Sequence, residues 1–488
     1  MKVLLVIGNI FFSEPHGVMA LAAACRKSGH SVRMTTLTKH SLPSVLDEFE
    51  PDFIAYSAMS PEMALFQEAD KTVLAYAAKR GKRLPRIMGG AHATHFPEVL
   101  DELGLEAICI GEGDFALPRM LERHAAGEGF EDIANVMTRF GPVEDIRKEL
   151  ISDLDALPFP DRSVYYQAAP LYRMLGLPGV MTSRGCPYHC TYCHNHALNR
   201  LFRGLGKIVR RKSPGYVIEE TKRLIMDFGP VKMIRFSDDT FAHTIDDWLL
   251  EFLPRYKKEI GLPFYCLMRS NTLSDDMGRL LSEHGCISVG MSVESGDERT
   301  RNELLKRNLT DELVVRSFEV ARKYGFKTFG NTMLALPGTT FEDDWRSFLF
   351  TKSLRMSVPT FGVFSPFPRT ELTDFAVRTG LLAEGQDHSK GYTGETPLKN
   401  YTQKEKDMQV NMSYLGTLFC TLPDAFIPLY RLLVRARPNI FYKLAGIMFM
   451  SFKMAKDVFP VFFKRNVFFQ LRILTESLRF GIAGKKKT

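Results

Sequence analysis

Nowhere does this chain stay uncharged for the roughly 18 residues that a membrane-spanning helix needs, and in the tail runs such as Leu444–Phe452 fall well short. Nor does it open like a signal peptide: Met-Lys-Val-Leu-Leu-Val-Ile-Gly is apolar only briefly before Glu14 and His16, and reads as a first buried strand. Of eight cysteines, three share one loop and five (Cys25, Cys109, Cys266, Cys286, Cys420) are scattered singly. That excludes a disulfide framework and fits a reducing cytosol. The first βα turn lacks G-x-G-x-x-G, which disfavours a nicotinamide-dependent hydride transfer. The first 420 residues also lack a strong charge excess. Residues 421–488 hold 13 Lys/Arg against 3 Asp/Glu, more than the whole net charge of +8, so the body shows no nucleic-acid footprint.

What is present is ordinary globular material, 45% hydrophobic and 25% charged over 488 residues, enough for about three domains. Residues 1–140 alternate apolar strands (2–7, 32–36, 53–57, 86–88, 107–110) with helices (18–28, 64–80), the pattern of a doubly wound parallel sheet. Ligands in such sheets sit at the carboxyl ends of the strands. Those ends are small and glycine-rich: Ser57-Ala58-Met59, Gly89-Gly90-Ala91-His92-Ala93-Thr94 and Gly111-Glu112-Gly113. A connector, 141–177, follows; Pro158 and Pro160 in an acidic stretch mark a domain boundary. Residues 178–380 again alternate, with strands expected at 179–181, 233–236, 264–268, 287–293, 328–334 and 360–364. Polar residues interrupt the apolar pattern at their ends: Ser237-Asp238-Asp239, Arg269-Ser270-Asn271, Ser292-Val293-Glu294 and the run from Asn331 through Leu336 to Gly338. Asp238 or Asp239 as a helix N-cap, and Glu294 as a surface carboxylate, are the plainer readings. Cys266 and Cys286 fall inside strands and read as small buried hydrophobes.

The loop at 183–196, Ser-Arg-Gly-Cys-Pro-Tyr-His-Cys-Thr-Tyr-Cys-His-Asn-His, dominates the chain. Cys186, Cys190 and Cys193 are spaced C-x3-C-x2-C. Soft thiolates select iron–sulfur clusters, zinc or copper(I). A four-iron cluster on three thiolates leaves one iron for an outside ligand, whereas structural zinc is usually closed by four protein ligands. With His189, His194 and His196 adjacent, a Cys3His zinc site in a non-enzymatic module is the competing reading.

The cysteine spacing, with Tyr192 just before the last cysteine, resembles the signature of the radical S-adenosylmethionine (SAM) enzymes. The N-terminal strand ends look like the cobalamin-binding domain that precedes many of them; the likeness covers roughly residues 1–375. It implies a Rossmann-like cobalamin domain, a partial (β/α)6 radical SAM barrel and a C-terminal helical region (381–488). It implies a [4Fe–4S] cluster on Cys186, Cys190 and Cys193. It places SAM against Tyr192, Ser237, Asp239, Arg269, Ser292, Glu294 and Leu336, with Lys306-Arg307-Asn308 set to meet its carboxylate or a substrate anion. Cobalamin falls to Ser57, Met59, Gly89, Gly90, His92, Thr94, Gly111, Glu112 and Gly113. The D-x-H-x-x-G motif of other cobalamin domains is missing: if Gly17 is its glycine, Glu14 stands in the histidine's place, so no histidine is expected on cobalt. Arg369 replaces the glycine of a Pro-Gly-Thr segment found in many relatives.

The implied activity is methylation of an unactivated carbon on a small-molecule or lipid-like substrate, through a 5′-deoxyadenosyl radical and methylcobalamin, with an external one-electron reductant of flavodoxin or ferredoxin type. A second SAM would remethylate the cobalt. Ring formation or rearrangement without methyl transfer is the alternative. An RNA methylthiotransferase would need a second cysteine trio, and only Cys25 and Cys109 lie in the N-terminal domain. The basic, phenylalanine-rich tail from Phe426 to Phe480 either lies on an anionic membrane, at the inner face, or covers the catalytic domain. Residues 383–399 read as a loop or lid, and Lys485-Lys486-Lys487 as a disordered end.

Overall fold

The computed structural model describes residues 1–9, 14–139, 141–383 and 394–460. The chain divides into two compact units, one of Met1–Met174 with Leu198–Lys212, the other of the remaining described residues from Leu175 onward. The connector 141–174 therefore belongs with the first unit, and so does a short stretch that follows the cysteine loop.

In the first unit, β1 (Lys2–Ile7), β2 (Ser31–Thr36), β3 (Phe53–Ser57), β4 (Arg86–Gly89) and β5 (Ala107–Cys109) pair in the order 2-1-3-4-5, all parallel. Helices α1 (His16–Lys27), α2 (Leu42–Phe49), α3 (Met63–Lys79), α4 (Gly90–His95) and α5 (Ala116–Ala126) connect them. Val3 to Ile7 form one unbroken buried apolar run, as a strand covered on both faces requires. The strand order reverses between β1 and β3, which makes their carboxyl ends the switch point where ligands bind. A short antiparallel strand, β6 (Val136–Met137), closes the far edge; two residues carry no periodicity, so the sequence pattern could not reveal it. Inside, Arg86 and Asp70 form a buried ion pair at 2.6 Å, Tyr56 donates to Asp70, and Arg86 also reaches the carbonyls of Leu103 and Gly104.

Asp161 caps α6 (Arg162–Ala168) and pairs with Arg26 of α1 at 2.6 Å. Arg162 and Tyr166 both reach the buried carboxylate of Glu14, each at 2.8 Å. The acidic connector is thus pinned to the first helix.

In the second unit, β7 (Gly179–Val180), β8 (Ile234–Phe236), β9 (Phe264–Leu267), β10 (Cys286–Gly290), β11 (Lys327–Leu334) and β12 (Val358–Val363) lie in sequential parallel order. Helix α7 (His194–Leu201) begins in this unit and ends in the first; the connecting helices are α8 (Pro214–Phe228), α9 (Asp247–Glu259), α10 (Asp275–Glu283), α11 (Asp311–Lys323) and α12 (Phe341–Ser353). Right-handed βα crossovers between sequential neighbours wind in one sense, as in a barrel segment. Cys266 and Cys286 are buried in this sheet, as expected. The N-cap of α9 is Asp246, accepting from Leu249 N–H, so neither Asp238 nor Asp239 plays that part.

After α13 (Glu371–Arg378), the tail covers an edge. Helix α14 (Gln403–Thr421) lies on edge strand β12, where Gly416 admits the Phe361 ring; a Cβ there would sit 2.4 Å from it. Helix α15 (Ile427–Leu433) brings Tyr430 into a stack with Phe419 at 4.7 Å. Helix α16 (Ile440–Lys453) crosses α14 at Gly446, whose backbone rests on the Tyr414 carbonyl. So α14 covers the catalytic unit, whereas α16 buries little besides Gly446. Most of the expected lid, 384–393, lies outside the described residues, as do Lys464, Arg465, Arg472, Arg479 and the terminal lysines.

Candidate active site

The cysteine loop leaves β7 and is moored from several sides. A single oxygen of buried Asp238, Oδ1, accepts from the backbone N–H and hydroxyl of both Thr182 and Ser183, at 2.6–3.1 Å. Burial pushes this carboxyl up to about 6 although those four bonds pull it down, and its other oxygen is buried without a partner. Further on, Thr191 donates to the Leu304 carbonyl, and its own carbonyl accepts from Leu372 N–H. His194 contacts the Pro368 carbonyl and the Phe367 ring; His196 bonds Glu371 at 2.8 Å and meets His189 edge-on.

Among the described residues no three His, Cys, Asp or Glu side chains gather tightly enough to hold a single metal ion. Thiolates serving three irons of a cube need not meet at one point. Cys190 is buried, while Cys186 and Cys193 are half-buried. Burial pushes the Cys193 thiol up to about 11 and raises Cys186 too, with Asp239 adding to both. Metal binding to such thiols must drive their deprotonation. The donor set therefore fits a cluster.

Beside the loop, side chains from three strand ends join. Tyr192 OH donates to Glu294 Oε1 at 3.2 Å and accepts from Arg307 at 2.7 Å; Arg307 also donates to the Ser292 carbonyl. Glu294 is buried rather than a surface carboxylate, at φ 67° after β10, and burial raises its pKa against the nearby Arg307. Arg269 donates to Asn271 and to the Arg307 carbonyl, and lies over the Tyr188 ring at 4.0 Å. Both arginines are buried, and the Nε of each has no partner. Two buried guanidinium groups with unused donors fit an anionic ligand. In the sequence Arg307 is one of three consecutive polar residues, and its coupling to Tyr192 is tertiary. Ser237 is half-buried and Asp239 exposed on the same side as the cysteines, where the charge of Asp239 acts on two of them. Leu336 is buried, its carbonyl accepting from Tyr401, and neighbouring Ala335 N–H donates to Asp344. Arg369 stands at φ 65°, the left-handed conformation that glycine adopts freely, which explains why glycine suits that position.

In the first unit, the carboxyl ends of β1, β3 and β4 carry Gly8, Ser57, Ala58, Gly89 and Gly90, none larger than serine. Gly90, at φ 90°, brings its backbone so close to Ala58 that a Cβ would lie 2.9 Å from the carbonyl oxygen. Met59 is exposed at the rim. The Glu62 carboxyl lies against Gly8 at this switch point, where burial pushes it up to about 7, and the small residues around it let backbone approach a large planar cofactor such as cobalamin. Other predicted contacts are engaged within the protein. Thr94 accepts from Gly111 N–H and donates to the Gly90 carbonyl. His92 bonds Ser60 and stacks on Phe96, and burial lowers its pKa to about 4. Glu112 pairs with buried Arg210 at 2.8 Å and accepts from Ile151 N–H; Phe202 packs on Gly111; Gly113 adjoins Leu21 and Cys109. Glu14, which takes the place of the cobalt-ligating histidine if Gly17 is the motif's glycine, is held by Arg162 and Tyr166.

The Radical SAM superfamily model matches residues 180–350, and the B12 binding domain model matches residues 6–121. An uncharacterized methyltransferase of Pyrococcus horikoshii is 26% identical over 420 residues, covering 82% of this chain and 87% of the relative. The radical SAM methyltransferase TsrM of Kitasatospora setae, solved with tryptophan and a SAM analog, superposes with a TM-score of 0.64 at 17% identity, covering 78% of this chain and 76% of that one. The cobalamin-dependent SAM radical enzyme OxsB, solved with aqua-cobalamin, gives 0.68 at 14% identity, over 98% and 75% of the two chains. With a B12-binding sheet followed by a three-cysteine radical SAM domain, this protein belongs to the cobalamin-dependent radical SAM enzymes, whose cofactors are a [4Fe–4S] cluster, SAM and cobalamin.

Proposed function

We propose that the protein is a methyltransferase acting on an unactivated carbon of a small apolar or lipid-like acceptor. The observation that carries this reading is the coexistence in one chain of the three-cysteine loop and a glycine-lined switch point. When bound, the cluster with SAM supplies a radical able to break a C–H bond, and cobalamin supplies a methyl group to the carbon left behind. The protein's part is to hold, orient and exclude water. Cys186, Cys190 and Cys193 would hold the cluster. The free Nε donors of Arg307 and Arg269 suit a carboxylate, and Glu294, fixed by Tyr192, suits ribose hydroxyls. Ser237, Ser292 and Asp239 border the same space, and Leu336 offers an apolar wall for a base. Gly89, Gly90, Ser57 and Met59 would line the corrin site.

An external one-electron donor of flavodoxin or ferredoxin type completes the set. Eight unpaired cysteines suit a reducing cytosol. No helix among the described residues is long and apolar enough to cross a membrane. From a reducing cytosol a lipid-like acceptor would be reached at the membrane's inner face. The test is anaerobic reconstitution with SAM, cobalamin and reductant on candidate lipids and other apolar acceptors. The expected product gains one methyl group; a product altered without that gain identifies ring chemistry instead. Absence of 5′-deoxyadenosine from intact, reconstituted protein refutes both.

A further inference from the structure

Helix α16 is apolar around most of its circumference, yet it lies on the surface. Phe441, Met448 and Phe452, spaced i, i+7 and i+11, form one exposed stripe, with Phe441 76% exposed. Helix α15 adds Leu429 and Leu432, the latter 64% exposed, and Phe426 precedes them. Exposed apolar area concentrated on two consecutive helices marks a contact surface. Between the helices the turn at 434–439 carries Arg435 and Arg437, both exposed and in no ion pair among the described residues. Over residues 421–460 six Lys/Arg face two Asp/Glu. In a cleft beside these helices Lys352 pairs with Asp424 and Lys453 with Asp457, so the free positive charge of this face is that of the turn.

We propose that this α15–α16 face docks on the surface of an anionic lipid bilayer. Phe441 and Leu432 enter the headgroup boundary, and Arg435 and Arg437 lie on lipid phosphates. Apolar side chains with arginines in the turn between them match the two parts of such a surface, hydrocarbon below and negative charge above. A second copy of the chain fits less well, because a two-fold contact sets this cationic face against itself. Crossing is excluded by length: 14 residues of helix rise about 21 Å, against a hydrocarbon core of about 30 Å. The docking gives the lipid-like acceptor of the proposed function its source, and rests on that reading only for its purpose.

The test uses the full-length reconstituted protein, sedimented with vesicles of phosphatidylcholine alone or mixed with phosphatidylglycerol, without turnover. Binding is expected only to the anionic vesicles, and to weaken with salt. The pair Arg435→Gln/Arg437→Gln should lower partitioning about 30-fold, at about fivefold per cation. Leu432→Ser/Phe441→Ser should lower it about tenfold or more. Both variants leave reductive SAM cleavage unchanged. A Phe441→Trp variant should show blue-shifted emission on anionic vesicles. The proposal is overturned by folded protein that stays in the supernatant, or by binding that neither double variant weakens. It is equally overturned if the emission of vesicle-bound Phe441→Trp protein does not shift, or if both double variants abolish self-association while binding persists. Failure here leaves the methyl transfer untouched, and failure to methylate leaves vesicle binding readable.

Discussion

Replacing Asp238 probes how the sheet carries the cysteine loop. One buried oxygen accepts two backbone N–H groups and two hydroxyls from Thr182 and Ser183. In Asp238→Ala the hydroxyls can rotate to other acceptors, but the two N–H groups cannot. At about 1–3 kcal/mol for each buried donor left unsatisfied, the loss is about 2–6 kcal/mol, large against a typical stability of about 5–15 kcal/mol. The only two tryptophans, Trp248 and Trp345, lie in the second unit, so urea unfolding followed by their emission reports that unit. Asp238→Asn keeps an acceptor oxygen and should cost less. The two variants also separate in pH. A carboxyl raised to about 6 in the folded state contributes fully below its ordinary value near 4 and loses that contribution as pH rises through about 6. The wild-type unit should therefore lose roughly 3 kcal/mol between pH 4 and 7, a fall that Asp238→Asn lacks. With its mooring gone, Asp238→Ala should also take up less iron and sulfide on reconstitution. An Asp238→Ala midpoint equal to wild type, or the same pH-dependent fall in Asp238→Asn, would refute the reasoning.

Alanine at Cys186, Cys190 or Cys193 should abolish iron retention and reductive SAM cleavage while leaving bound corrinoid, read by absorbance, unchanged. Arg307→Met should weaken SAM binding about 10- to 150-fold, the worth of a charge-assisted hydrogen bond; equilibrium dialysis measures it, and Arg307→Lys should not restore the fork geometry. In the first unit, Asp70→Ala leaves Arg86 buried and unpaired, at about 3–5 kcal/mol, seen as faster limited proteolysis of that unit. Gly90→Val forces a side chain onto the Ala58 carbonyl at a positive φ, and should cost the protein its corrinoid with its cluster intact.

Periodicity alone determined both parallel sheets and the six strands of the second, and motif spacing put three thiols on one loop. These are short-range properties: a buried parallel strand must be apolar throughout, and C-x3-C-x2-C places three thiols on one loop without help from distant chain. The strand-end residues Arg269, Ser292 and Glu294 were legible for the same reason, as polar breaks in apolar runs. What each of them does was decided by tertiary structure. Glu112 looked like a ligand-facing carboxylate beside two glycines, but Arg210, 98 residues away, takes it up. Glu14 stands in a cobalt ligand's place if Gly17 is the motif's glycine, and Arg162 and Tyr166 hold its carboxylate. The tail's composition left two roles open; packing of Gly416 on Phe361 gave α14 to the catalytic unit, while Phe441, Met448 and Phe452 of α16 stay exposed. A buried charge finds its partner through the fold, across separations on which local pattern carries no information, and that is why these assignments waited for the structure.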